Sequence, residues 1–287
     1  MMFEIGKVNK LKVKRKTDIG YMLINENEEE IFLHNNDSNF MKLEPSMNVD
    51  AFVFYDNKKR IAATLYKPNL QVGQKGFLSV QGVNYEIGVF LDLGISKGLL
   101  LSKDYLPYDQ TLWPRENDKL YVEMFLGKSL LARLATPNVS VHNSLKVNDK
   151  EIGHVIRVGE KGLNILTNNF EKVFISSTIL RKKIRLGEKL EFIITNINDR
   201  GYNAKLVNQS QLDIIEEDAK VILDYLKQNI MLSLDSDSSP EMIKNYFNMS
   251  KKAFKKALGN LYKQRLVEFR DGKTFYTKFK VGEKNGK

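Results

Sequence analysis

At 287 residues, with 42% hydrophobic and 28% charged side chains, the chain has the composition of a folded protein of about two to four domains, not of a disordered tail. The absence of cysteine excludes disulfides, thiolate nucleophiles and zinc sites built on Cys, and fits a reducing compartment. The net charge of +10 is uneven: residues 250–287 hold 12 Lys/Arg and 3 Asp/Glu, residues 1–16 hold 6 and 1, and the stretch between sums to −4. Charge gathered at two ends points to a polyanion, because phosphate neutralisation supplies the sequence-independent part of nucleic-acid affinity. A solvated lysine-rich surface is the alternative reading.

The three histidines, His34, His142 and His154, lie far apart and none has a partner at helical metal-ligand spacing, so neither a metal nor a cofactor is expected. No Gly-rich phosphate loop, Ser/His/Asp set or paired carboxylates in metal spacing stand out, and an enzyme is not expected. The first residues hold no apolar run of signal-peptide length, and nowhere do about 18 apolar residues run unbroken. A cytoplasmic protein without membrane spans is the expectation.

From the amino terminus to about residue 210 the sequence repeats with a period of about 70 residues. GKVNKL at Gly6 recurs as GQKGFLSV around Gly76 and EIGHVIRV at Gly153. Alternating strands follow, GYMLIN from Gly20, GVFLDL from Gly88 and GLNILTN from Gly162. Apolar runs come next, IFLH (31–34), LLL (99–101) and VFIS (173–176), and then a turn with a strand from Pro45, Glu116 and Leu186. Each unit closes on an Ala-x-Leu strand at Ala63, Ala132 and Ala204. Five short period-2 strands per unit predict a small antiparallel barrel of the OB kind, whose strand 2–3 face binds oligonucleotides. The expected units are 1–68, 69–140 and 148–209; barrels serving only as spacers or protein docks remain the alternative.

The central stretch GVFLDLGISKGLLLSKDYL resembles the S1-like RNA-binding version of this fold. The resemblance implies single-strand binding through aromatics on strands 2 and 3, a His after the second Gly strand and an Asp/Arg pair near the last strands. Carried over, it marks Phe90 in the second unit and His34, Asp56 and Arg60 in the first. Met22 stands at the aromatic position of the first unit, Leu101 at the His position of the second, and Asn164 and Ile175 at both positions of the third. Phe90 can equally be a core residue, and His34 a capping one. Phe77, Tyr85, Tyr105, Tyr108 and Trp113 are further aromatics without a motif; Trp113, before a proline, is read as a plug of the barrel end. The RKKIR run at 181–185 reads as a positive loop able to track phosphate, or as a solvated one.

From Gln211 the period changes from 2 to 3.6, with Ala219, Ile222, Leu223 and Leu226 on one helical face. Ser239-Pro240-Glu241 opens a second helix, and Ser250 caps a third whose apolar face holds Phe254, Leu258, Leu261 and Tyr262. Asp271-Gly272 then turns a hairpin. This order predicts a winged helix-turn-helix over 211–287, so the fold class is mainly β with a carboxyl-terminal α+β domain. Lys251, Lys252, Lys255 and Lys256 on the third helix, with Arg270 and Lys273 at the wing tip, are its candidate phosphate contacts. Lysines without an early Asn, Gln or Arg bind phosphate and do not read bases. A winged helix used for protein contact is the alternative.

S1-like repeats before a winged helix, together with the LWP loop and SSPEMIKNYFNMSKKAFKKALGNLYKQRL, resemble the conserved virulence factor B family of bacteria over essentially the whole chain. That resemblance implies an RNA-binding protein acting on gene expression after transcription, including virulence genes in pathogens. A DNA-binding regulator working through the winged helix, and an adaptor docking on ribosome or polymerase proteins, are the two other readings.

Overall fold

The computed structural model describes residues 2–137, 144–180, 182–199, 201–207 and 211–277, with backbone only at 211–214. His142 and Arg181 lie outside the described residues. The first barrel comprises β1 (Val8–Thr17), β2 (Gly20–Ile24), β3 (Glu30–His34), β4 (Asn48–Tyr55) and β5 (Ile61–Thr64). The second comprises β6 (Lys75–Asn84), β7 (Gly88–Leu91), β8 (Leu99–Ser102), β9 (Lys119–Leu126) and β10 (Leu130–Leu134). The third comprises β11 (Lys150–Gly159), β12 (Gly162–Thr167), β13 (Lys172–Ser176), β14 (Lys189–Asn198) and β15 (Gly201–Leu206).

All three close in the strand order 1-2-3-5-4, the third and fifth strands pairing in parallel and the rest antiparallel. Period-2 alternation explains the closure: Leu23, Leu33, Val89, Leu101, Ile165 and Ile175 point inward, while their neighbours face out. Gly162 takes φ 147, and an added methyl there would lie 2.1 Å from the Ile175 carbonyl oxygen, so only glycine lets the second strand start so close to the third.

The barrels are docked on one another. Residues 51–54 of β4 are all buried, because Phe52 and Phe54 on its outer face pack into the core of the second barrel. Between the second and third barrels Phe77, Tyr121, His154 and Phe170 form an aromatic cluster with ring centroids 5.3–6.5 Å apart. Leu186 inserts into the second barrel's core, and its N–H donates to the Leu112 carbonyl at 2.9 Å.

The carboxyl-terminal domain holds α1 (Gln211–Asn229), β16 (Met231–Leu232), α2 (Pro240–Phe247), α3 (Lys251–Lys263), β17 (Val267–Arg270) and β18 (Lys273–Tyr276). Ser239 and Ser250 cap α2 and α3 by accepting the N–H of Met242 and Ala253. Asn248 in the left-handed region makes the turn between them. Three helices and a sheet in the order β16-β18-β17 make a winged helix around Ile222, Leu226, Ile243, Phe254 and Leu258. Sequence reading missed β16. It also put Tyr262 on the apolar face, whereas Tyr262 is 56% exposed and stacks on Phe269 of the wing. Among the described residues no helix is long and apolar enough to cross a membrane.

Candidate nucleic-acid interface

The first strand of every barrel carries a β-bulge at the same place, between Val13 and Arg15, Val80 and Gly82, and Val155 and Arg157. A bulge re-aims the residue that follows it. Here it brings that residue into register with an outward residue of the second strand, starting a row that crosses the barrel face. In the first barrel the row is Arg15, Met22, Phe32 and Ala62. In the second it is Gly82, Phe90, Leu100 and Leu131. In the third it is Arg157, Asn164, Phe174 and Asn203.

Each row thus holds one half-buried ring, Phe32, Phe90 or Phe174. Phe90 faces outward beside Leu100, while Val89 and Leu91 on either side of it are fully buried. The rings of Phe32 and Phe174 lie over the glycines that open the second strands: a methyl added at Gly20 or Gly162 would be 2.8 Å from the ring Cζ of either. Sequence reading found Phe90 but missed Phe32, Phe174, Arg15 and Arg157. Their signal was available in the parity of IFLH and VFIS, where alternate residues share a face.

The same parity corrects two assignments. His34 pairs with Gly20, and the matching partners of Gly88 and Gly162 are Ser102 and Ser176, not Leu101 and Ile175. A one-residue slip exchanges faces, and both Leu101 and Ile175 are fully buried. His34, Ser102 and Ser176 each cap a short 3-10 turn, accepting the N–H of Asn36, Asp104 and Thr178. The Asn36 bond to His34 Nδ1 is 3.1 Å long, which leaves the ring proton on Nε2. The imidazole stands edge-on to Phe32 at 6.2 Å.

In the first barrel His34, Asp56 and Arg60 meet, as the resemblance implies, in a groove of about 230 Å³ that Phe32 also lines. Arg60 donates from Nε and Nη2 to Asp56 Oδ2 at 2.9 and 2.7 Å, while Asp56 Oδ1 accepts the N–H groups of Lys58 and Arg60. The Arg60 N–H leads the groups that hold the Asp56 carboxyl below its usual range. Two residues of the second barrel complete the groove. Lys97 Nζ donates to the carbonyls of Tyr55 and Asp56 at 2.7 and 3.1 Å, and Ser96 Oγ donates to Asp37 Oδ1 at 2.8 Å. Burial pushes the Lys97 ammonium down, against the pull of Asp56. A larger cavity of about 540 Å³ along β1, β2 and β4 mixes Lys10 and Lys12 with Glu26 and Asp50 and holds no ring.

Two other aromatic candidates, Trp113 and Phe77, are architectural. Trp113 is 4% exposed and its indole N–H donates to the Pro107 carbonyl at 2.7 Å, so it plugs the barrel end. Phe77 belongs to the interface between the second and third barrels. Tyr85, Tyr105 and Tyr108 are exposed. Two cations of the RKKIR run are tied down: Lys183 bonds Asp109 at 2.9 Å, and Arg185 bonds Asp118 and Glu188 at 3.3 Å each, while Lys182 is exposed.

On α3 the four lysines differ. Lys251 Nζ donates to the Asp237 carbonyl at 2.8 Å and Lys255 lies 3.5 Å from the Asp237 carboxylate. Lys252 and Lys256 make no ion pair among the described residues, and Lys252 is exposed. At the wing Arg270 bonds Glu268 at 2.6 Å, while Lys273 is exposed beyond the Asp271-Gly272 turn.

Three OB-type barrels in series with a winged helix define a multidomain protein assembled from nucleic-acid-binding folds. Family models match each part: an S1 domain over residues 5–66, the CvfB first S1-like domain over 76–130, which is the second barrel here, and the CvfB-like winged helix domain over 220–275. The chain belongs to the conserved virulence factor B family. It is 30% identical over 277 residues to YitL of Bacillus subtilis (strain 168), covering 93% of this chain and 92% of that one. It is 28% identical over 288 residues to conserved virulence factor B of Staphylococcus haemolyticus (strain JCSC1435), covering 96% and 95%. A crystal structure of a multidomain protein with nucleic acid binding domains from Streptococcus pneumoniae is similar over 95% of this chain and 98% of its own, with 25% identity and a TM-score of 0.61. None of the matched models is a catalytic family.

Proposed function

We propose that this chain is a non-enzymatic, cytoplasmic RNA-binding protein that takes single-stranded RNA across the barrels, adds phosphate contacts through its winged helix, and regulates gene expression after transcription. The observation that carries the reading is the repeated row of outward residues, with one ring in each barrel and an arginine opening the same row in the first and third. Unpaired bases are recognised by stacking on rings and by edge contacts, and every base has a face to stack. In this reading Phe32 and Phe90 stack bases. His34 offers its Nε2–H, the Asp56-held Arg60 meets phosphate or sugar, and Lys251, Lys252, Lys255, Lys256, Arg270 and Lys273 follow the backbone. Three weak sites on one docked body gain by effective concentration.

Fluorescence anisotropy of the whole chain with matched single-stranded RNA, single-stranded DNA and duplex DNA, at two salt concentrations, tests it. The expected order puts single-stranded RNA first, with affinity falling as salt rises. Preference for duplex DNA moves the function to the winged helix. Binding to none of the three leaves docking on ribosome or polymerase proteins as the reading.

A further inference from the structure

The groove of the first barrel has a hydrogen-bonding inventory unlike that of a phosphate site. Its formal charges cancel, Arg60 and Lys97 against Asp37 and Asp56. The Asp56 carboxylate is fully engaged by Arg60 and Lys58, and Lys97 Nζ spends two of its three N–H donors on backbone carbonyls. The carboxylate with capacity left is that of Asp37, which takes one bond, at Oδ1 from Ser96 Oγ, and whose Oδ2 has no partner among the described residues. The Asp37 backbone is fixed independently, its carbonyl accepting the Leu65 N–H at 2.8 Å and Thr64 Oγ1 at 3.2 Å.

We propose that this groove is a base-selective pocket shared by the first two barrels: Phe32 stacks one unpaired base, and Asp37, oriented by Ser96 of the second barrel, accepts hydrogen bonds from the base edge and favours guanine. A carboxylate only accepts. Guanine sets two donors side by side on its pairing edge, the ring N1–H and the exocyclic amine, whereas adenine, cytosine and uracil each set a donor beside an acceptor. At about 230 Å³ the groove is smaller than the ~300–1,000 Å³ of sites for drug-sized ligands, as a pocket for a single base should be. Ala62, the end of the row in this barrel, and Met22 carry no group that reads an edge, and Asp37 is the carboxylate of the groove with an oxygen left to accept from one. The pocket is incomplete without Ser96 and Lys97, which gives the docking of the second barrel a role in recognition. The proposal rests on the single-strand reading above.

The test is anisotropy of the whole chain with labelled oligouridine RNA carrying one central guanosine, inosine or adenosine. A two-donor match of this kind is expected to favour guanosine over adenosine by at least about fivefold, and inosine, which lacks the amine, should lose part of that margin. Asp37→Asn, whose amide pairs a donor with an acceptor and so matches adenine rather than guanine, should lose the guanosine margin or reverse it; Ser96→Ala should narrow the margin. Equal binding of guanosine and adenosine RNA by the wild type, or an undiminished margin in Asp37→Asn, overturns the pocket while the single-strand reading stands. Binding of none of the three RNAs overturns both. The inosine comparison uses the unaltered protein and holds even where a variant folds poorly.

Discussion

At the scale of single residues, base stacking needs a ring that is half-buried rather than buried. Phe32, Phe90 and Phe174 sit on the outside of strands whose neighbouring residues fill the core, so each can lose its ring without opening a cavity inside a barrel. Phe32→Ala or Phe90→Ala is expected to weaken single-stranded RNA binding by about 1–3 kcal/mol, read by anisotropy, with little change in melting temperature. A large fall in melting temperature with unchanged affinity of the folded fraction would return the ring to a core role. Trp113 is the contrast: 4% exposed and bonded to Pro107, it should cost about 3–5 kcal/mol of stability as Trp113→Ala, measured by denaturant titration. The resemblance singles out His34, Asp56 and Arg60, which meet in one groove, and Phe90, which faces outward. It does not reach Phe32 and Phe174, because apolar runs align equally well one residue apart and only strand register tells which alternate residue of a run faces out.

Elements carry the charge. Lysines on one helix look equivalent in sequence, but Asp237 holds Lys251 and Lys255. Lys252→Ala with Lys256→Ala is therefore expected to remove most of the salt dependence that the four lysines supply together, lowering the slope of log affinity against log salt by about 1.4 on a single strand. An unchanged slope would take α3 out of the binding surface. The RKKIR run shows the reverse: it read as a free positive loop because its partners, Asp109 and Asp118, lie 74 and 67 residues away from Lys183 and Arg185. Asp109 is held at about 2, first by the Thr111 hydroxyl and then by Lys183. Since this lies below its ordinary value of 3.8, the stability it contributes is complete above that value and is lost as pH falls through it toward 2. Thermal melts should show Asp109→Asn less stable than wild type near neutral pH, with the two converging as pH falls. A constant difference would contradict the assignment. Helix, turn and hairpin types were readable from their periods and caps, whereas β16, two residues long, is too short to display a period.

The whole molecule is a set of docked barrels, and docking is what sequence reading could not supply. Phe52, Phe54 and Leu186 look like ordinary core residues of their own units, yet each fills the core of a neighbour. The repeat itself, five strands three times over, was plain in the spacing of Gly and Ala-x-Leu segments, because each barrel repeats the same turns. Docking also places Ser96 and Lys97 of the second barrel at the groove of the first. The central claim is that the rings on the barrel faces hold single-stranded RNA. Its most direct test is the affinity of the triple variant Phe32→Ala, Phe90→Ala, Phe174→Ala for a single-stranded RNA, measured beside the wild type in the same salt. A loss of at least about tenfold with an intact fold is expected; unchanged affinity in a folded triple variant would take the rings out of the binding surface.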